Sequence, residues 1–164
     1  MPCAIRYPKD ITLSEDEYAI DGKLKPIINT QPFVRMTTIG SSDKKICIIA
    51  CGVMLHEAYS AAKRFAEGGI AVDLIEAAIL SPFDNDILSD INTRSYKLVA
   101  SVEEGIIKGG FGESISHAIT SCPFITIGVE NPFIPQMSVA RQRECAGIDA
   151  NGIYNKIAQK LNIL

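Results

Sequence analysis

The sequence predicts a three-layer α/β/α fold: a mostly parallel five-stranded sheet with one antiparallel edge strand, covered by helices on both faces. Three observations carry that expectation. Apolar runs of strand length alternate with stretches whose apolar residues recur at helical spacing, the pattern of βαβ units. Two of the runs, Ile46–Ala50 and Leu98–Val102, are apolar at nearly every position, as in strands buried on both faces. Two strand-like runs, Phe33–Ile39 and Ile46–Ala50, are separated only by the turn Gly40-Ser-Ser-Asp-Lys44, which places the first at an antiparallel edge.

Taken in order, Ala4–Tyr7 is a short strand-like run with no sheet of its own nearby, and Asp10–Thr30 is a polar connector broken by Gly22 and Pro26. After the two strands, a helix is expected from Leu55 to Glu67, with Ala58, Ala61, Ala62 and Phe65 as its buried stripe and Gly68-Gly69 as its stop. Ile70–Ile75 is the next strand. Asp84 N-caps a helix whose inner face is Ile87, Leu88 and Ile91. Leu98–Val102 leads into a glycine-rich turn and a helix with Phe111, Ile115, Ala118 and Ile119 on one face. Phe124–Val129 is the last strand, Asn131–Pro135 a rigid loop, Ser138–Cys145 a short helix, and Asp149 caps a final helix through Ile153, Ile157 and Leu161.

A chain of 164 residues suits one domain with a sizeable core, and 47% hydrophobic content is ordinary for a globular protein. A net charge of −3 supplies no basic field for nucleic acid. No apolar run reaches membrane-spanning length and the N-terminus lacks a secretory pattern, so the expectation is a cytoplasmic protein. Five cysteines (Cys3, Cys47, Cys51, Cys122, Cys145), an odd number without a C-x-x-C, point to reduced thiols rather than to a disulfide frame or a zinc site.

The chain is organised around Leu98-Val-Ala-Ser-Val-Glu-Glu-Gly-Ile-Ile-Lys-Gly-Gly-Phe-Gly112. Carboxyl ends of strands are where ligands and partners gather in open α/β sheets. Gly105 is expected to turn the chain at a positive φ, and Gly109, Gly110 and Gly112 to allow close backbone approach. Helix N–H groups left open there would suit an anion, although the spacing is neither a P-loop nor a dinucleotide fingerprint. Tight packing is the favoured reading, with Ile106, Ile107, Gly109, Gly110 and Phe111 forming an interface. Glu103 and Glu104 are adjacent on a strand and point to opposite sides, so they do not form an acid/base pair. His56 and His117 each fall in an expected helix without a carboxylate or cysteine at ligand spacing, and are assigned packing or surface roles. No complete catalytic constellation is present, which reads as one domain of something larger.

Four segments then become recognisable in series: Ala4-Ile-Arg-Tyr-Pro8, Val102-Glu-Glu with Gly109-Gly-Phe-Gly112, Phe133-Ile-Pro-Gln136, and Gly147-Ile-Asp-Ala-x-Gly152. Together they resemble the C-terminal domain of the 1-deoxy-D-xylulose-5-phosphate synthase family, transketolase-like enzymes that depend on thiamine diphosphate. The resemblance implies that residues 1–9 end a preceding pyrimidine-binding domain, 10–32 form a linker, and 33–164 form the transketolase C-terminal-like domain. It implies a homodimeric enzyme that condenses pyruvate with D-glyceraldehyde 3-phosphate, releases carbon dioxide, and serves isoprenoid-precursor and thiamine synthesis. Thiamine diphosphate and Mg²⁺ would be held by the preceding domains or a separate subunit carrying them. No cofactor-binding, metal or catalytic residue maps onto this chain, which is expected to be inert alone. Arg6 resembles the arginine that holds the substrate phosphate, a role suited to a guanidinium fork; neutralising a carboxylate at a domain junction is the other reading.

The chain departs from the family pattern at Lys9 and Asp10, where Arg-Gly is usual after Arg-Tyr-Pro, and at Ala78, where Glu76-Ala-Ala replaces Asp-x-Arg. A transketolase, the β-type subunit of a 2-oxo-acid dehydrogenase, and a non-catalytic binding or assembly module stay open as alternatives.

Overall fold

The computed structural model describes residues 25–26, 34–131 and 133–163. Arg6, the Ala4–Tyr7 run and most of the 10–32 connector lie outside the described residues. Six strands form one sheet: β1 (Lys25–Pro26), β2 (Val34–Ile39), β3 (Lys45–Cys51), β4 (Ala71–Ala77), β5 (Val99–Ile106) and β6 (Phe124–Val129). Their spatial order is β1-β2-β4-β3-β5-β6. β3, β4, β5 and β6 run parallel, whereas β2 runs antiparallel to β4.

The five expected strands are β2 to β6, and β2 is the antiparallel one. The addition is β1, two residues of the connector that pair with Met36 and Arg35 outside β2. Proline cannot donate to a ladder, so Pro26 suits an outermost strand.

The helices are α1 (Met54–Glu67), α2 (Asn85–Thr93), α3 (Phe111–Ser116), α4 (Val139–Ala146) and α5 (Ala150–Leu161). Strand alternation sorts the core into two layers. Ile46, Ile48, Leu74, Ala100, Val102 and Ile127 face α1 and α5, meeting Ala58, Phe65, Ile153 and Ile157. Cys47, Ile49, Ile75 and Val99 face the other way, against Ile87 and Ile91 of α2 and Phe111 and Ile115 of α3. Phe65 stacks on Tyr154, and the Arg64 guanidinium lies 3.9 Å from the centre of the Tyr154 ring, joining α1 to α5.

The caps follow the sequence. Asp84 Oδ1 accepts from the Asp86 and Ile87 amides at 2.7 and 3.4 Å, and Asp149 Oδ1 accepts from Gly152 N at 3.1 Å. α3 is shorter than its apolar spacing suggests: it ends at Ser116, which leaves His117 as an exposed residue past the helix rather than within it. Asn92 of α2 causes the stop, because its Nδ2 donates to Ala118 O at 2.6 Å and its Oδ1 accepts from Thr120 N and Ser121 N at 3.0 and 3.2 Å. These long-range side-chain bonds take the backbone groups that a further turn of helix would use.

A buried carboxylate fastens the amino end of the sheet. Asp73 on β4 is fully buried and accepts from Tyr96 Oη and Thr38 Oγ1, both at 2.6 Å. Lys45 Nζ and an Arg94 nitrogen lie 3.3 and 3.5 Å from its two oxygens. A buried carboxylate persists only with such compensation. Beside it, burial and then the Asp73 charge push the Cys47 thiol pKa well up.

Candidate functional site: the carboxyl edge of β5 and β6

β5 continues past the apolar run to Ile106, and its pairing with β6 is irregular between Val102 and Ile106. Such an irregularity re-aims side chains at a strand end. Glu103 turns inward and is 6% exposed, whereas Glu104 stays exposed. The two carboxylates part company, as strand alternation requires.

Glu103 meets the first turn of α3. Its Oε2 accepts from Phe111 N at 3.0 Å and its Oε1 from Gly112 N at 2.9 Å. The orphan donors of a helix start are thereby satisfied from within the chain. The anion that the glycine-rich turn could receive is the protein's own carboxylate.

Two glycines there have distinct causes. Gly109 is the residue with positive φ (+77), not Gly105, so the sharp turn falls four residues later than expected. Gly112 is required by space: a Cβ on it would overlap Ser101 Oγ and Thr126 Cγ2, where α3 lies flat on β5 and β6. On the other side of β5, Glu104 Oε1 accepts from Nε and another guanidinium nitrogen of Arg143 at 2.9 and 2.8 Å, so α4 is tied to the strand end.

Between the β5–α3 turn and α4 lies an open cleft of about 1020 Å³. Its walls include Ile106, Lys108, Gly110, Val139 and Arg143. Of the expected interface residues, Ile106 is exposed (47%), Gly109 is exposed, Gly110 and Ile107 are half-buried, and Phe111 is in the core, edge-on to Phe83. Phe111 therefore belongs to packing, because the Glu103 cap draws the start of α3 down onto the sheet. The exposed apolar side chains that join Ile106 at this end are Phe133 (86%) and Val139 (49%), which sequence reading missed. Only the absence of a buried stripe in the Ser138–Cys145 helix hinted at Val139.

Burial, and secondarily the Glu103 charge, push the Cys51 thiol up to about 12, so it is an inert packing group. His56 Nε2 is buried without a hydrogen-bond partner. Among the described residues no group of three or more His, Cys, Asp or Glu could hold a metal ion. A diphosphate at the start of α3 would meet the fixed Glu103 carboxylate. The described residues do not fit thiamine diphosphate and Mg²⁺. No helix among them is long and apolar enough to cross a membrane.

A sheet of this order, four parallel strands with an antiparallel neighbour and helices on both faces, defines a three-layer α/β/α domain. The family model described as the transketolase C-terminal domain matches residues 37–153, and the chain belongs to that family. Among curated relatives, the 1-deoxy-D-xylulose-5-phosphate synthase of Buchnera aphidicola subsp. Acyrthosiphon pisum is 29% identical over 95% of this chain and 24% of its own length. That of Clostridium beijerinckii is 31% identical over 98% of this chain and 25% of its own. The chain thus spans about a quarter of the length of these relatives. Among solved structures, a split-gene transketolase described as an inactive β4 tetramer matches with a TM-score of 0.67 at 25% identity, over 79% of this chain and 43% of the other. The transketolase of Campylobacter jejuni shares the fold, with a TM-score of 0.60 at 14% identity over 82% of this chain and 20% of the other.

Proposed function

We propose that this chain is the C-terminal domain of a cytoplasmic, homodimeric 1-deoxy-D-xylulose-5-phosphate synthase, joining pyruvate to D-glyceraldehyde 3-phosphate with loss of carbon dioxide. The observation that carries the reading is the likeness to such synthases along nearly the whole chain. Thiamine diphosphate and Mg²⁺ would supply the carbanion chemistry from the portion that precedes this domain in the relatives, or from a separate subunit. The split-gene transketolase supports the second arrangement, since the chain this domain matches over 43% of its length is described as a split-gene product whose β4 tetramer is inactive.

The domain's own contribution is to dock. Ile106, Phe133 and Val139 offer an apolar face at the carboxyl edge, next to the half-buried Ile107. Arg6 holds the acceptor's phosphate in the assembled enzyme.

The test has two arms. Calorimetric titration of thiamine diphosphate with Mg²⁺ into the isolated chain should give no saturable heat, and micromolar binding would overturn the reading. Joined to, or mixed with, the cofactor-bearing portion of a relative, the chain should support synthase turnover. In that assembly Arg6→Ala should lower kcat/KM for the phosphorylated acceptor by roughly ten- to a hundredfold, the equivalent of one charge-assisted pair, while handling of pyruvate is unchanged. Ile106→Asp should weaken the assembly without lowering the melting temperature. Equal loss for both substrates with Arg6→Ala would assign Arg6 to structure instead.

A further inference from the structure

Helix α4 is fastened unlike the other helices. It buries none of its residues, whereas α1, α2, α3 and α5 each bury a stripe. An eight-residue helix with no buried face has little to hold it in water. Most of its polar contacts are local. Ser138 Oγ accepts from Arg141 N at 3.4 Å, Gln142 Nε2 donates to Pro135 O at 3.5 Å, Arg141 pairs with Glu144, and Cys145 Sγ lies 3.8 Å from Met137 Sδ.

Its ties to the body of the domain are of two kinds. The last turn is anchored: Ala146 packs half-buried against the core, Lys156 Nζ donates to Ala146 O at 3.3 Å, and Ile148 beyond it is buried. Midway along, the Arg143 side chain, only 16% exposed, reaches back to Glu104 at the end of β5 and lies 3.8 Å from Glu57 Oε1 on α1. Glu57 is itself fixed, since its Oε2 accepts from Ala150 N at 2.9 Å. The start of α4, with Val139 exposed, has no tie of either kind among the described residues, and the helix forms one wall of the cleft.

We infer that α4 is a latched flap: it pivots about its anchored end at Ala146–Ile148, and the Arg143–Glu104/Glu57 bridge is the latch that sets how wide the cleft stands. Charge, rather than apolar burial, keeps it closed, so its opening responds to salt while the core does not. This holds whatever the cleft receives.

Hydrogen exchange read by mass spectrometry on the full chain tests it. Arg143→Met keeps most of the stem and removes the fork. The amides from Gln142 to Gly147 should then exchange about ten- to thirtyfold faster, as expected for losing a partly buried charged pair. Peptides from α1 and α5 should stay within about twofold of the parent. Glu104→Ala, a change at a half-exposed residue, should give about three- to tenfold and decides the matter alone if Arg143→Met does not fold. In roughly 1 M salt, where the Debye length is about 3 Å, the parent's α4 should accelerate and that of Arg143→Met should not. Unchanged α4 protection in the variants, or equal loosening of α1 and α5, would overturn the latch.

Discussion

Replacing Glu103 by Gln tests whether the glycine-rich turn is sealed by the chain itself. The carboxylate accepts two backbone bonds, at 3.0 Å from Phe111 N and 2.9 Å from Gly112 N, and is 6% exposed. Hydrogen bonds to a charged group contribute about 1.5–3 kcal/mol each, more than neutral ones. Glutamine keeps one acceptor and turns its amide N–H₂ toward the second backbone donor. One bond weakens, the other is lost, and two donors face each other in a buried site. The expected cost is about 2–4 kcal/mol, or roughly 5–15 °C in melting temperature for a chain of this size. Urea unfolding followed by circular dichroism measures it, with an unchanged m-value indicating that the loss is in stability alone. Gly112→Ala probes the same junction from the other side, because its Cβ would overlap Ser101 Oγ and Thr126 Cγ2; overpacking of this kind costs about 1–3 kcal/mol. A Glu103→Gln midpoint within about 0.5 kcal/mol of the parent would refute the reasoning. It would mean that the helix start is satisfied by solvent, and that the turn is open to an external anion after all.

The buried Asp73 cluster should be more sensitive still: Asp73→Asn, which leaves Lys45 and Arg94 facing an uncharged group, should cost about 3–5 kcal/mol, and Tyr96→Phe about 1–2 kcal/mol, both read by urea midpoints. Asn92→Ala should destabilise by about 2–3 kcal/mol and raise hydrogen exchange locally at Thr120 and Ser121, whose amides it holds. In the native protein a thiol reagent at pH 8 should modify the exposed Cys145 readily and leave Cys47 and Cys51 untouched until unfolding. The Cys51 thiol titrates near 12 in the fold and near 9 in the unfolded chain. The unfolded state therefore holds fewer protons between those values, and stability should fall with rising pH in that window by up to about 1.4 kcal/mol per unit from Cys51, with a further fall of the same sign from Cys47, which is also raised. A Cys51→Ala variant whose stability profile between about pH 9 and 11 is as steep as the parent's would show that Cys51 is not sealed.

Most of the fold was legible because the strands that build it are buried on both faces. Ile46–Ala50 and Leu98–Val102 announce themselves by continuous apolarity, and Asp84 and Asp149 mark their helices by capping chemistry that is local in sequence. What escaped depends on partners distant in the chain. The apolar spacing of Phe111, Ile115, Ala118 and Ile119 suits a longer helix, but Asn92, some 26 residues away, claims Ala118 O and ends it. Asp73 carries no local mark either, since its partners come from β2, β3 and the segment before β5. At the candidate site, the glycines and the adjacent carboxylates were visible, yet their relation was not. Only the fold shows that Glu103 fills the Phe111 and Gly112 donors at the end of the glycine-rich turn.

The departure at Ala78 can be weighed in the same way. The resemblance expects an arginine two residues after the carboxylate, and this chain has Glu76-Ala-Ala78. The carboxylate is kept and buried, so it needs a cation. That cation comes from the neighbouring strand: Arg35 stands opposite Glu76 in the β2–β4 register, and its Nε and a terminal nitrogen both lie 2.6 Å from Glu76 Oε2. Charge at this position is thus balanced across the sheet rather than along the strand. Asp73 is likewise balanced from across the sheet, by Lys45 of β3, whereas Glu103 is held by backbone amides of α3. The three buried carboxylates among the described residues are all engaged in fastening elements to one another. The groups left facing outward at the carboxyl edge are apolar Ile106, Phe133 and Val139 and the charged wall of α4. With these buried acids engaged within the fold, the docking and flap experiments address the surface that remains outward at this edge.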